Sequence, residues 1–190
     1  MKRLIAALLL TGVAYAQQDG TRIGVETPPA PTPDPAAAEA LAKTYDGMTI
    51  DDLEAIIKAD GYGYERHPAE GDNAPYISTG TANGVTYDVW LTECDKSPVP
   101  RCVGLTAQTY YFKESPKVTL KALNEWNVNA WSVRGVIYGD GQSSVVMNVG
   151  LNGGVNGAWL VARLRNFNFW AEAYRAFWNS GDPKAVPPEN

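Results

Sequence analysis

Residues 85–92 alternate without a break. Val85, Tyr87, Val89 and Leu91 fall on one side of the chain, and Thr86, Asp88, Trp90 and Thr92 on the other. A period of two marks a strand with one buried face. Residues 76–81 precede it across Asn83-Gly84, a two-residue hairpin signal. Residues 103–112 read as a third strand, with Leu105, Ala107, Thr109 and Tyr111 sharing one side. A second hairpin is expected from 132–138 and 143–151, around Gly139-Asp140-Gly141.

Three stretches carry the helical period instead. In the first, Thr49 is placed to cap, Asp52 follows three residues on, and Met48 can staple to Leu53. Ile50, Leu53, Ile56 and Ile57 form its apolar face, and Gly61 ends it. Residues 62–75, with His67, Gly71 and Pro75, read as loop or irregular strand. A middle helix begins at Ser115-Pro116 or at Thr119, both acceptable starts. Its stripe is Leu120, Leu123 and Trp126, with Ala130. After a break at Gly153-Gly154, a last helix is predicted over 156–179. Leu160, Leu164, Phe167, Ala171, Tyr174 and Trp178 recur there at three- and four-residue steps. Gly181 and Pro183 stop it.

The order is α-β-β-β-α-β-β-α, so the fold class is α+β. The hairpin links predict an antiparallel sheet with helices on one face. The folded domain spans 44–180, and 181–190 form a loose tail.

The N-terminus has another character. Lys2 and Arg3 precede a short apolar run, and Ala14-Tyr15-Ala16 is an A-x-A site, so 1–16 read as a signal peptide cut after Ala16. The run is shorter than the roughly 20 apolar residues that span a bilayer. Stable membrane insertion after cleavage is not expected. Residues 17–43 form a Pro/Ala-rich linker whose alanine part could be a frayed helix. Export implies a periplasmic or secreted protein. In that compartment Cys94 and Cys102, the only cysteines, are expected to form a structural disulfide. Their C-x7-C spacing differs from redox C-x-x-C sites, and one histidine is too few for a zinc site.

Charge narrows the partners. The net charge is −5, and loss of Lys2 and Arg3 leaves 14 basic against 21 acidic side chains, a net −7. That disfavours nucleic acid. No cofactor or metal is expected. His67 lies among carboxylates with no nucleophile motif, which favours a solvated loop. The glycine-rich run 150–157 lacks the G-x-G-x-x-G and P-loop patterns and reads as a turn with positive φ angles.

Several segments together resemble the YbjN family of bacterial proteins. They are Met48-Thr49-Ile50-Asp51-Asp52-Leu53 with Gly61-Tyr62, and Thr119-Leu120-Lys121-Ala122-Leu123-Asn124-Glu125-Trp126-Asn127. Arg134-Gly135-Val136-Ile137-Tyr138 and Gly153-Gly154-Val155 add to them. The resemblance covers roughly 44–180, by element order. It implies a fold like that of type III secretion chaperones, usually dimeric, and a sensory-transduction regulator by description. It brings no catalytic residues.

Two features remain for function. Asn124 and Asn127 flank Trp126 on the middle helix and are expected to hold neighbouring backbone groups. The last helix carries more aromatics than one face can bury, among them Trp159, Phe167, Phe169, Trp170, Tyr174, Phe177 and Trp178. Trp126, Trp170 and Trp178 are the expected anchors of a protein interface. The expectation is a non-catalytic exported binding module acting through protein contacts, as a homodimer with an unidentified protein partner. The alternative is a binder of envelope glycan or a small ligand through exposed aromatics. A carboxylate-dependent hydrolase ranks third.

Overall fold

The computed structural model describes residues 34–69, 74–113 and 115–185. The signal peptide 1–16, linker residues 17–33 and tail residues 186–190 lie outside them. The described residues form α1 (Pro35–Ala42), β1 (Thr44–Tyr45), α2 (Ile50–Ala59), β2 (Tyr64–His67), β3 (Tyr76–Gly80), β4 (Thr86–Cys94), β5 (Cys102–Thr109), α3 (Leu120–Asn129), β6 (Arg134–Ile137), β7 (Ser143–Gly150), β8 (Val155–Asn156) and α4 (Gly157–Ser180).

The chain is α+β. Six strands form one sheet in the order β2-β3-β4-β5-β7-β6, with every neighbouring pair antiparallel. The alternation in β4 does what its period requires. Val85, just ahead of the strand, is buried, as are Tyr87, Val89 and Leu91 within it. Register carries the same inward row across the sheet to Ile77 and Thr79 on β3, Leu105, Ala107 and Thr109 on β5, and Val145, Met147 and Val149 on β7. The helices cover this row. Phe167 of α4 meets Tyr87 edge-on at 5.0 Å between ring centroids. Glu54 of α2 accepts from Tyr64 Oη at 3.1 Å and from Arg66 Nη1 at 2.6 Å, both on β2.

Local chemistry sets the helix ends. Thr49 and Asp52 form the expected capping box, and Met48 and Leu53 are both fully buried. Thr119, not Ser115, caps α3, accepting from the Ala122 N–H at 3.1 Å. Asn156 caps α4, accepting from the Trp159 N–H at 2.7 Å, and Gly181 closes it with φ 79°.

The structure departs from the sequence reading in five places. Residues 64–67 are a regular edge strand; their period is hidden because Glu65 and Arg66 are both charged. The first hairpin turns through three residues, 82–84. Gly84 N–H donates to Thr81 O, and Gly84 takes φ 84° as the bulge residue. Tyr111 lies beyond the end of β5 and is exposed rather than in the buried row. Leu120 faces solvent, leaving Leu123, Trp126 and Ala130 as the buried stripe of α3.

The fifth departure concerns the domain start. The folded unit includes α1, ahead of position 44. Ala40 of α1 is buried, and its carbonyl accepts from Tyr45 Oη at 3.1 Å. β1 pairs with β8, and Lys43 O accepts from the Gly157 N–H at 3.0 Å. A Cβ on Gly157 would stand 2.1 Å from Ala40 O, so only glycine lets α1 approach α4 this closely. A short alanine helix has little stability alone, and packing supplies it here.

Candidate binding surfaces

Two of the three expected anchors are core residues. Trp126 is 2% exposed and Trp178 is 5% exposed. Trp126 lies against Tyr174 at 4.8 Å and Phe177 at 6.0 Å between ring centroids. Trp178 Nε1 donates to Lys113 O at 2.7 Å. With a single buried face, α4 would leave most of its aromatics outside. It is covered on several, by the sheet, by α3, and by α1 and α2, so most of its aromatics are absorbed. Trp170 is the exception. It is half-buried at the edge, 5.3 Å from Phe169, and its indole Nε1 is buried without a partner.

The asparagines split in the same way. Asn127 holds β6 by both ends of its amide: Gly135 N–H donates to Oδ1 at 2.8 Å, and Nδ2 donates to Gly135 O at 3.1 Å. This is the expected structural role. Asn124 has no part in it, because it faces solvent.

A different set of aromatics is exposed. On α3, Leu120 is 69% exposed, Val128 81%, and Trp131, just past the helix, 72%. With Asn124 they sit at steps of four, four and three residues, a second stripe opposite the buried one. On α4, Trp159 and Phe169 are exposed. Ser132 Oγ donates to Asn166 Oδ1 at 2.7 Å and ties the two helices together here. Arg163 lies between the indoles of Trp131 and Trp159, 5.8 and 5.6 Å from their centroids. Beside Phe169 and Trp170 a cavity of about 350 Å³ opens, lined also by Trp126, Asn129 and Lys184. Val128 and Trp131 escaped the sequence reading, although the spacing from Leu120 to Trp131 was a usable signal.

The opposite face of the sheet has no helix on it among the described residues. His67 is on this face, not in a loop. It stacks on Tyr76 at 4.4 Å and places Nε2 3.0 Å from Ser78 Oγ. Ser78 donates to Asp88 Oδ1 at 2.6 Å, and Tyr110 Oη is 3.2 Å away. A hydroxyl has one hydrogen. With it directed at Asp88, Ser78 accepts rather than donates toward His67, the reverse of a nucleophile and its base. Further along the face, Thr106 donates to Asn148 at 2.7 Å and Gln108 donates to Tyr138 Oη at 3.1 Å.

The Cys94–Cys102 disulfide is formed and closes the β4–β5 loop. Asp95 organises that loop, accepting from Ser97 Oγ at 2.7 Å, Ser97 N–H at 3.1 Å and Arg101 N–H at 3.2 Å. These bonds, Ser97 foremost, hold its carboxyl below the usual range. A cavity of about 440 Å³ lies beside the disulfide, between Ile50, Arg66, Pro75, Leu91, Val99 and Pro100. Asp51 is its one carboxylate, and the cavity by Trp170 has none, so neither pairs two carboxylates as a glycosidase would. The glycine-rich run is a turn, with Gly153 and Gly154 at φ 90° and 84°. Among the described residues no cluster of three His, Cys, Asp or Glu could hold a metal, and no helix is long and apolar enough to cross a membrane.

Comparison with protein-family models, curated proteins and solved structures yields no match for this chain.

Proposed function

We propose that this chain is an exported, non-catalytic binding domain that takes a protein partner on the outer surface of α3 and α4. One observation carries the reading. Leu120, Val128, Trp131, Trp159 and Phe169 are exposed on the helix layer, Trp170 is half-buried beside Phe169, and the remaining aromatics of these helices are buried. Exposed apolar groups gathered on one surface mark interaction sites, and Trp and Arg dominate binding hot spots. The disulfide is consistent with a periplasmic or extracellular setting. The YbjN resemblance, carried by the order of elements together with segments such as Leu123-Asn124-Glu125-Trp126-Asn127, suggests the same kind of role, and a second copy of the chain is one admissible partner.

Crosslinking the tagged mature protein in its native envelope tests this. One dominant polypeptide, or a crosslinked dimer, should be captured, and Trp131→Ser with Phe169→Ser should abolish the capture. Capture that survives both changes sinks the reading.

A second reading rests on the open sheet face. Stacked His67 and Tyr76, half-buried Trp90, and the hydroxyls and amides around them offer rings and hydrogen bonds suited to a polyhydroxylated ligand. Binding of a glycan that is lost in Trp90→Ala and kept in Trp131→Ser would favour it.

A further inference from the structure

We infer that the segment bound by α3 and α4 is acidic, with a large apolar anchor three residues from its carboxylate. This deepens the helix-surface reading and rests on it. The first observation is Arg163. The indoles of Trp131 and Trp159 hold its guanidinium between them. Its Nε is buried without a partner, and its terminal nitrogens have no hydrogen-bond or ion-pair partner among the described residues. The other arginines of α4 differ. Arg165 meets Asp60 at 2.6 Å, and Arg175 is bound to Glu172. Arg134 also meets no carboxylate among the described residues, but its Nη1 donates to the carbonyls of Val133 and Ala130, which leaves Arg163 as the described arginine whose side-chain nitrogens find no partner. A planar fork fixed by two rings and left uncompensated is matched by a carboxylate.

The second observation lies two turns further along. Trp170 presents a buried, unpartnered indole N–H beside the cavity that Phe169, Trp126, Asn129 and Lys184 line. Seven residues separate Arg163 from Trp170. They are therefore on nearly the same side of α4 and about 10 Å apart along it. An extended peptide covers that distance in about three residues. A carboxylate on Arg163 thus places an apolar side chain three residues away at the cavity. Lys184 at the cavity favours the same charge. A second copy docking this surface about a two-fold axis would bring a second Arg163 and Lys184 with it, so an acidic segment of another protein is the better-matched occupant.

Selection from a random displayed peptide library on the mature protein tests the assignment. Recovered sequences should carry Asp or Glu three positions from an aromatic or large aliphatic residue. A synthetic copy should shift the indole signals of Trp131, Trp159 and Trp170 among the six tryptophans. Replacing the peptide's acid by its amide, or Arg163→Gln, should weaken binding about tenfold or more, with Arg163→Lys between the two. Recovery of no peptides, recovery without acidic enrichment, or unchanged affinity in Arg163→Gln overturns the assignment. Phe169→Ala separates the two claims. Peptides that need Phe169 but not Arg163 overturn the acidic assignment alone. Peptides that need neither overturn the surface beneath it.

Discussion

Trp126 of α3 and Tyr174 of α4 pack edge to face, 4.8 Å between centroids and 76° between ring planes. Tyr174 is fully buried, shares a short hydrogen bond with Ser143, and has its hydroxyl pKa raised by burial. The pair joins both helices to β7 at the centre of the core. Truncating Trp126 removes that contact and leaves a cavity. Trp126→Ala should cost about 3–5 kcal/mol. Trp131→Ala, on the exposed stripe, should change stability by no more than about 0.5 kcal/mol. Urea unfolding of both variants checks the pair of values.

Asn127 and Asn124 should part in the same experiment. Asn127→Ala leaves the Gly135 N–H and C=O without their amide partner, and Gly135 itself is buried. The expected cost is about 1–3 kcal/mol. Asn124→Ala should be neutral within about 0.5 kcal/mol, or slightly favourable through helix propensity.

Gly157 decides whether α1 docks. A Cβ there meets Ala40 O at 2.1 Å and Leu41 Cα at 2.9 Å, both backbone atoms that cannot rotate away. Gly157→Ala should push α1 off α4. Hydrogen exchange at residues 36–42 should rise toward that of an unprotected chain, while protection in β4 and β5 persists.

Asp52 should dominate part of the acid limb of stability. Burial acts to raise its pKa, but the Lys43 Nζ bond at 2.6 Å and the Thr49 N–H and hydroxyl outweigh burial and hold it below the ordinary value. A carboxyl depressed in the folded state contributes stability above its unfolded pKa, near 4, and loses it as pH falls through the folded value. The stability gap between wild type and Asp52→Asn should therefore be full near pH 6 and close below about pH 4. Urea midpoints across that range provide the check.

The fold was legible where one physical rule acted alone. The β4 alternation, the Thr49–Asp52 capping box and the α4 period each had a single cause, and each is present. The sequence hid β2 because Glu65 and Arg66 are adjacent charges whose side chains point to opposite faces. It hid the docking of α1 because that depends on Gly157, more than a hundred positions away. The binding surface was misread for a related reason. Counting aromatics on a helix does not reveal how many neighbours cover it, and both Trp126 on α3 and Trp178 on α4 lie under such neighbours. The exposed set, Val128 and Trp131 with Leu120, was visible as a stripe but competed with a second stripe three positions out of phase. His67, read as solvated, required knowledge of the β2–β3 register before Ser78 and Asp88 could be placed beside it.

The central claim is that the outer surface of α3 and α4 meets a protein. A photo-reactive amino acid at position 128, which is 81% exposed, and separately at position 90 on the open sheet face, tests it most directly. After illumination in cells of the native host, position 128 should yield a discrete crosslinked band that Phe169→Ser removes, and position 90 should yield none. A band from position 90 with none from position 128 would contradict the account and move the site to the sheet.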